Sequence, residues 1–245
     1  MTAVVLGSVD LGESDRLMHL LSRERGRVTA RARHARRSRK RYGGRLDRYS
    51  LVRAQLRLRR DRAALGEVDL LEPFLGIRTD LLRTAMADHL VELLRIATHE
   101  EEECPELFGL AVRSLEVLDR SPEPPGEGWL RAVVMGVLEA SGLALAVEGC
   151  CACGGLVERF PAGFAAGAGG VLCADHAATE PGCAPLSRVD LEQLRGLAAA
   201  DLADPGGCPA VGRPVRRLLA RFCEFHLGRQ LRTASFVDSL LDEPG

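Results

Sequence analysis

The chain has 245 residues, and its 33 basic and 34 acidic side chains leave a net charge of −1, so overall charge names no partner. The length suits one large domain or two or three small ones, and 46% hydrophobic residues suffice for a packed core. No run of about 18 apolar residues occurs, which argues against a membrane-spanning helix and a membrane partner.

The opening MTAVVLGSVDLGESD lacks the basic start and long apolar stretch of a secretory signal, so the expected location is the cytoplasm. Eight cysteines in that compartment point to metal ligands or free thiols over disulfides. Cys104, Cys208 and Cys223 read as ordinary buried thiols.

The first 75 or so residues read as β-structure. TAVVLGSVDL is a short apolar strand, and DRLMHLLS follows after the turn LGES. GRVTARARHA alternates Val28, Ala30 and Ala32 with Arg27, Thr29, Arg31 and Arg33, which puts small apolar residues on one face and arginines on the other. LVRAQLRLR alternates in the same way, with Val52, Ala54, Leu56 and Leu58 on one parity and Arg53, Gln55 and Arg57 on the other. AALGEVDLLE ends at Pro73. Five short strands in this length predict a small barrel, with the five-stranded OB-fold as first candidate and an SH3-like barrel close behind.

Charge is concentrated in this region. From Arg23 to Arg62 there are 17 basic and 3 acidic residues, a run that attracts phosphate backbones through counterion release. Its centre is the connector Arg33 to Tyr49, RHARRSRKRYGGRLDRY, which is too polar to be expected in a core. Gly43 and Gly44 mark a turn within it. Candidate nucleic-acid contacts are Arg31, Arg33, Arg36, Arg37, Arg39, Lys40 and Arg41. Tyr42 and Tyr49, the only tyrosines, stand among them as candidates for stacking on bases.

Beyond Ile77 the period turns helical. Leu81, Leu82, Ala85, Met86, His89, Leu90, Leu93, Leu94 and Ala97 recur at three and four residues, with Thr79 or Asp80 placed to cap the start. His89 lies on the apolar face and reads as a buried core histidine. PELFGLAVRSLEVLDR and GWLRAVVMGVLEASGL are further helices, followed after the cysteine region by LSRVDLEQLRGLAAA, RPVRRLLARFCEFHLGRQL and TASFVDSLL. The expected class is therefore α+β: an OB-fold barrel over residues 1–76, then a helical domain over 77–245 with an inserted zinc module at about 148–184.

Cys150 and Cys153 are separated by two residues, as are Cys173 and His176, and 19 residues lie between the pairs. This spacing fits a four-ligand zinc site in which each short turn aims two donors at one tetrahedral ion. Thiolates with an imidazole select zinc over magnesium or calcium. Cys151 is one residue from Cys153, a poorer turn, and Cys183 is a possible substitute for His176. Four protein ligands leave no open position for water, which makes such a zinc structural. No phosphate-binding loop, dinucleotide fingerprint or nucleophile elbow is present, so the chain reads as a binding protein with no enzymatic turnover.

The stretch VDLGESDRLMHLLSRERGRVTARARHARRSRKRYGGRLDRYSLVRAQL, then DHLVELL, SGLALAVEGCCACGG and FHLGRQLRTASFVDSL, follow one another in an order that resembles the RecO family of bacterial recombination mediators. The family usually has a glycine near the place of His34, and its fourth metal ligand is often cysteine where this chain has His176. The resemblance implies binding of single- and double-stranded DNA, annealing of complementary strands, and assistance to RecA on DNA coated by single-strand-binding protein (SSB). It implies RecR and the SSB C-terminal tail as protein partners and a nucleoid-associated cytoplasmic location. A helix face with Arg216, Arg217 and Arg221 is one place that could receive an acidic tail. The alternative reading is an RNA-binding or ribosome-associated module built on the same barrel and zinc site, since charge alone does not separate RNA from DNA.

Overall fold

The computed structural model describes residues 1–37, 42–59 and 62–242. Five strands form a closed barrel: β1 (Thr2–Leu11), β2 (Asp15–Ser22), β3 (Gly26–Ala32), β4 (Leu51–Arg59) and β5 (Arg62–Glu72). Their order is β1-β2-β3-β5-β4, and β1 pairs with β4 to close the ring. All pairs are antiparallel except β3 with β5, which meet in parallel at Arg31 and Ala64. This is the OB-fold order; an SH3-like meander would set β3 beside β4.

The predicted alternation builds the barrel wall. Val28, Ala30 and Ala32 are buried while Arg31 points outward, and Val52 and Ala54 are buried on β4. The pattern fails at Leu58, which is 57% exposed, because β4 and β5 remain paired beyond the point where β3 covers them. β1 serves two neighbours. Its first half pairs with both β4 and the end of β2, and a bulge between Val5 and Gly7 turns its second half along the rest of β2. Gly7 has φ +146° there, a conformation that side chains resist.

The connector before β4 departs from expectation. Tyr42 and Leu46, four residues apart, both enter the barrel core, at 2% and 6% exposure. A turn in which the Arg45 N–H donates to the Tyr42 carbonyl (2.6 Å) brings the two side chains to one side. The polarity of the segment as a whole conceals two apolar residues at helical spacing.

After a 3₁₀ turn at Leu75–Thr79 come α1 (Leu81–Ala97) and α2 (Pro105–Arg120). Asp80 caps α1, accepting from the Arg83 N–H. These helices are compact with the barrel: one unit spans Met1–Pro122 and the other Glu123–Gly245. The expected boundary at 76/77 thus marks the change of secondary structure, whereas the break in compactness comes after α2. Asp88 of α1 accepts from the Tyr49 hydroxyl (2.7 Å) and pairs with Arg48. Arg83, 6% exposed, donates to the carbonyls of Leu118, Ser121 and Pro122 and so satisfies the end of α2.

The second unit holds α3 (Glu127–Ala140), a small sheet of β6 (Ala162–Ala165), β7 (Gly170–Leu172) and β8 (Ala184–Leu186), the short α4 (Ala174–Ala177), then α5 (Arg188–Ala198), α6 (Arg213–Leu227) and α7 (Ala234–Asp242). The sheet order is β7-β6-β8, antiparallel throughout. Trp129 of α3 is buried, and its indole N–H donates to the Leu202 carbonyl (3.0 Å). Ser187 and Asp190 form a capping box at the start of α5.

Candidate metal centre and nucleic-acid interface

Cys150, Cys153, Cys173 and His176 come together in the second unit, their donor atoms all within 4.8 Å of one another. Local backbone geometry explains why. In the first turn the Gly154 N–H donates to the Cys150 carbonyl (2.7 Å), and the Cys150 N–H donates to the Gly155 carbonyl (2.9 Å). Gly154 sits at φ +71°, the left-handed region. In the second turn Cys173 precedes α4, which puts Cys173 and His176 one turn apart on the same side.

The two turns are tied by β7. Val171 donates to the Ala146 carbonyl and accepts from the Cys151 N–H, both at 2.9 Å. This contact requires Gly170: a Cβ there would lie 2.3 Å from the Ala146 oxygen.

The His176 Nδ1 lies 3.1 Å from the Cys173 Sγ and 3.6 Å from the Cys150 Sγ. Donors around one tetrahedral zinc stand about 3.5–3.8 Å apart, so the set fits a metal ion. Burial pushes the Cys150 thiol up, but N–H groups of Cys173, Cys153 and Ala152 aimed at its sulfur bring it below its ordinary value. At Cys173 the His176 N–H lowers the thiol against the effect of burial. Such N–H groups favour the thiolate, the form a metal needs.

Cys151 and Cys183 stand outside the cluster. Cys183 packs against Gly163, where an added Cβ would lie 2.3 Å from its sulfur, and burial raises both thiols. His176, and not Cys183, completes the group of four.

Of the arginines named above, Arg31, Arg36 and Arg37 contact residues of or beside the β1–β2 turn. Asp15, almost fully buried, organises that end of the barrel. Its carboxylate accepts from the His34 N–H (2.8 Å), the Ser14 hydroxyl (2.9 Å) and the Arg31 Nε (2.6 Å). The His34 N–H, together with Ser14 and Arg31 and against burial, lowers its pKa to about 2. The negative charge that holds this turn therefore persists down to strongly acidic pH and is lost only as pH falls from its ordinary 3.8 through about 2. His34 has φ +58°, a left-handed conformation that glycine adopts most readily.

Arg31 is thus tied to Asp15 on one edge and 46% exposed on the other. Arg36 pairs with Asp10 (3.4 Å) and donates to the Gly12 carbonyl (3.1 Å), and Arg37 pairs with Glu13 (3.3 Å). These exposed pairs are weak, of the order of 0–1 kcal/mol, so a phosphate can take them over. Arg33 is exposed and makes no ion pair among the described residues. Arg39, Lys40 and Arg41 lie outside the described residues.

Two expectations are corrected. Tyr42 is not free to stack on a base: its ring fills the barrel end and its hydroxyl donates to the Leu65 carbonyl (3.1 Å). Tyr49 is likewise buried, and burial with the neighbouring Asp88 pushes its hydroxyl's pKa up. Replacing Tyr42 with phenylalanine is expected to cost about 1 kcal/mol of stability, and with alanine about 3–5 kcal/mol, by urea denaturation. The phenylalanine substitution should not alter nucleic-acid affinity.

In the second unit Arg216 is not available to an acidic tail. It is held by Glu127 (2.6 Å) and Asp242 (2.9 Å), while Arg131 pairs with Glu127 and Asp238. Arg53 and Arg57, exposed on the outer face of β4, were legible in the alternation of that strand but were not singled out.

The fold and the two sites define an OB-barrel protein with a basic barrel end and a Cys₃His group that could hold a metal ion. The family model described as "Recombination protein O N terminal" matches residues 1–74, and the one described as "Recombination protein O C terminal" matches residues 78–234. The chain is 41% identical over 247 residues to a DNA repair protein RecO of Anaeromyxobacter sp. (strain K), covering 98% of this chain and 96% of that protein. It is 43% identical over 251 residues to that of Anaeromyxobacter sp. (strain Fw109-5), covering 98% and 95%, and 36% identical over 241 residues to that of Myxococcus xanthus, covering 96% and 95%. The chain belongs to the recombination protein O family, and that membership supports a role in DNA repair and recombination. Among the described residues no helix is long and apolar enough to cross a membrane.

Proposed function

We propose that the chain is a DNA-binding recombination mediator that binds and anneals single-stranded DNA and, with RecR, helps RecA load on DNA coated by SSB. The observation that carries this is the cluster of Arg31, Arg33, Arg36 and Arg37 around the β1–β2 turn of an OB barrel, in a chain of the RecO family. Double-stranded DNA and the SSB C-terminal tail are further partners on this reading, and the setting is the nucleoid in the cytoplasm. On this reading it acts by binding, the arginines neutralising phosphate.

The Cys150, Cys153, Cys173 and His176 set holds zinc, which crosslinks two turns of the chain and takes no part in a reaction. Thiolate and imidazole donors favour zinc among common cellular ions, and four of them fill its coordination shell.

The test is strand annealing. Complementary oligonucleotides coated with SSB are mixed with the protein, with and without RecR, and duplex formation is followed by fluorescence. Annealing above the protein-free rate is expected, and its absence overturns the mediator reading. Competition by RNA of the same sequence separates the alternative: an RNA-binding module would prefer the RNA strand.

A further inference from the structure

The outer face of α6 carries Arg213, Arg217, Arg221 and Phe225 at four-residue intervals, and Arg229 follows just past the end of the helix. The opposite face buries Val215, Leu218, Leu219, Phe222 and Cys223, so the packing that fixes the helix leaves this row turned to solvent. All five residues of the row are exposed, and none of the four arginines makes an ion pair among the described residues. Glu224 shares the face, but its carboxylate accepts from the Gln230 side chain (3.1 Å). Phe225 is 61% exposed. Its ring rests beside Gly167 and edge-on to His226 (centroids 5.1 Å apart), so one side is supported and the other open.

Positions four apart on a helix rise about 6 Å, close to the spacing of phosphates along an extended single strand. A row of regularly spaced cations with one open aromatic is the arrangement that tracks a strand without reading its sequence. A short acidic peptide would need only one or two of these charges and a concavity to enter, whereas the row runs for about 18 Å along a convex helix.

We propose that α6 is a second contact surface for single-stranded nucleic acid, with Arg213, Arg217 and Arg221 on successive phosphates, Phe225 against a base and Arg229 on a phosphate beyond it. This rests on the DNA-binding reading and extends it: annealing needs two strands, and the chain then offers one surface in each compact unit.

The test uses the full-length protein, a fluorescein-labelled 40-nucleotide poly(dT) probe and an acidic amphipathic peptide as second probe. The combined Arg213→Gln, Arg217→Gln, Arg221→Gln and Arg229→Gln variant should lower the slope of log affinity against log salt by about 3, since each phosphate contact on a single strand contributes about 0.7. It should also slow annealing about 10-fold. Phe225→Ala should weaken binding 5-fold or more with the slope unchanged, because stacking carries no charge. An unchanged slope and annealing rate in the arginine variant, or a loss confined to the peptide probe, overturns the proposal. Failure of the unaltered protein to bind the DNA probe at all is the separate result that removes the DNA-binding reading beneath it.

Discussion

Replacing Cys173 with serine should abolish metal binding: elemental analysis is expected to find about one zinc per chain in the unaltered protein and almost none in this variant. Cys150→Ser and Cys153→Ser should lower zinc content likewise, whereas Cys151→Ser and Cys183→Ser should leave it unchanged. Zinc in a four-ligand structural site contributes of the order of 10–16 kcal/mol to its small domain. The sheet of β6, β7 and β8 has strands of only three or four residues, too short to hold itself. Losing the ion should therefore loosen the segment between Cys150 and His176, and proteolysis at the exposed Arg159 should follow. A chelator should produce the same cleavage in the unaltered protein. If Cys183→Ser lowered the zinc content, the ligand set drawn here would be wrong.

The second large effect is expected at the barrel. Changing Arg33, Arg36 and Arg37 together to glutamate should weaken poly(dT) binding about 100-fold near 100 mM salt and reduce the salt slope by about 2, read by fluorescence anisotropy. Arg31 is best left out of this variant. A glutamate there would face the buried Asp15 carboxylate, and the result would report on folding as much as on binding. Unaltered affinity in the triple variant would move the nucleic-acid site away from the β1–β2 turn.

How far these features were legible depended on how local their causes are. The barrel walls could be read because alternation is a property of neighbouring residues: Val28, Ala30 and Ala32 face inward as their spacing required. Asp80 and Ser187 cap helices where their side chains can reach an N–H two or three residues on. The four metal donors could be read for the same reason, since each pair lies within one turn.

What escaped the sequence was set at a distance. The pairing of β3 with β5 skips a strand and follows from the OB-fold as a whole, not from any local pattern. The partners that occupy Arg31 and Arg216 lie 16 and 89 residues away, so no local pattern distinguishes these arginines from Arg33, Arg217 and Arg221, which make no ion pair among the described residues. Tyr42 was misplaced because its neighbours are charged, although its own ring has the size and polarity to close a barrel end. The strands β6, β7 and β8 carry too few residues to show a period, and they form where the chain is already drawn together near the cysteines.

One consequence concerns the order in which the chain is made. The last barrel strand ends at Glu72, but groups that brace the barrel come later: Asp88 receives Tyr49 and Arg48, and Glu100 accepts from the Thr29 hydroxyl. Arg83 finds its three carbonyl partners only when Pro122 has been added. At about 5–20 residues per second, some 2–10 s separate the two points. During synthesis the barrel thus waits, its strands complete, first for Asp88 and Glu100 to brace it and then for the end of α2 to receive Arg83 of α1.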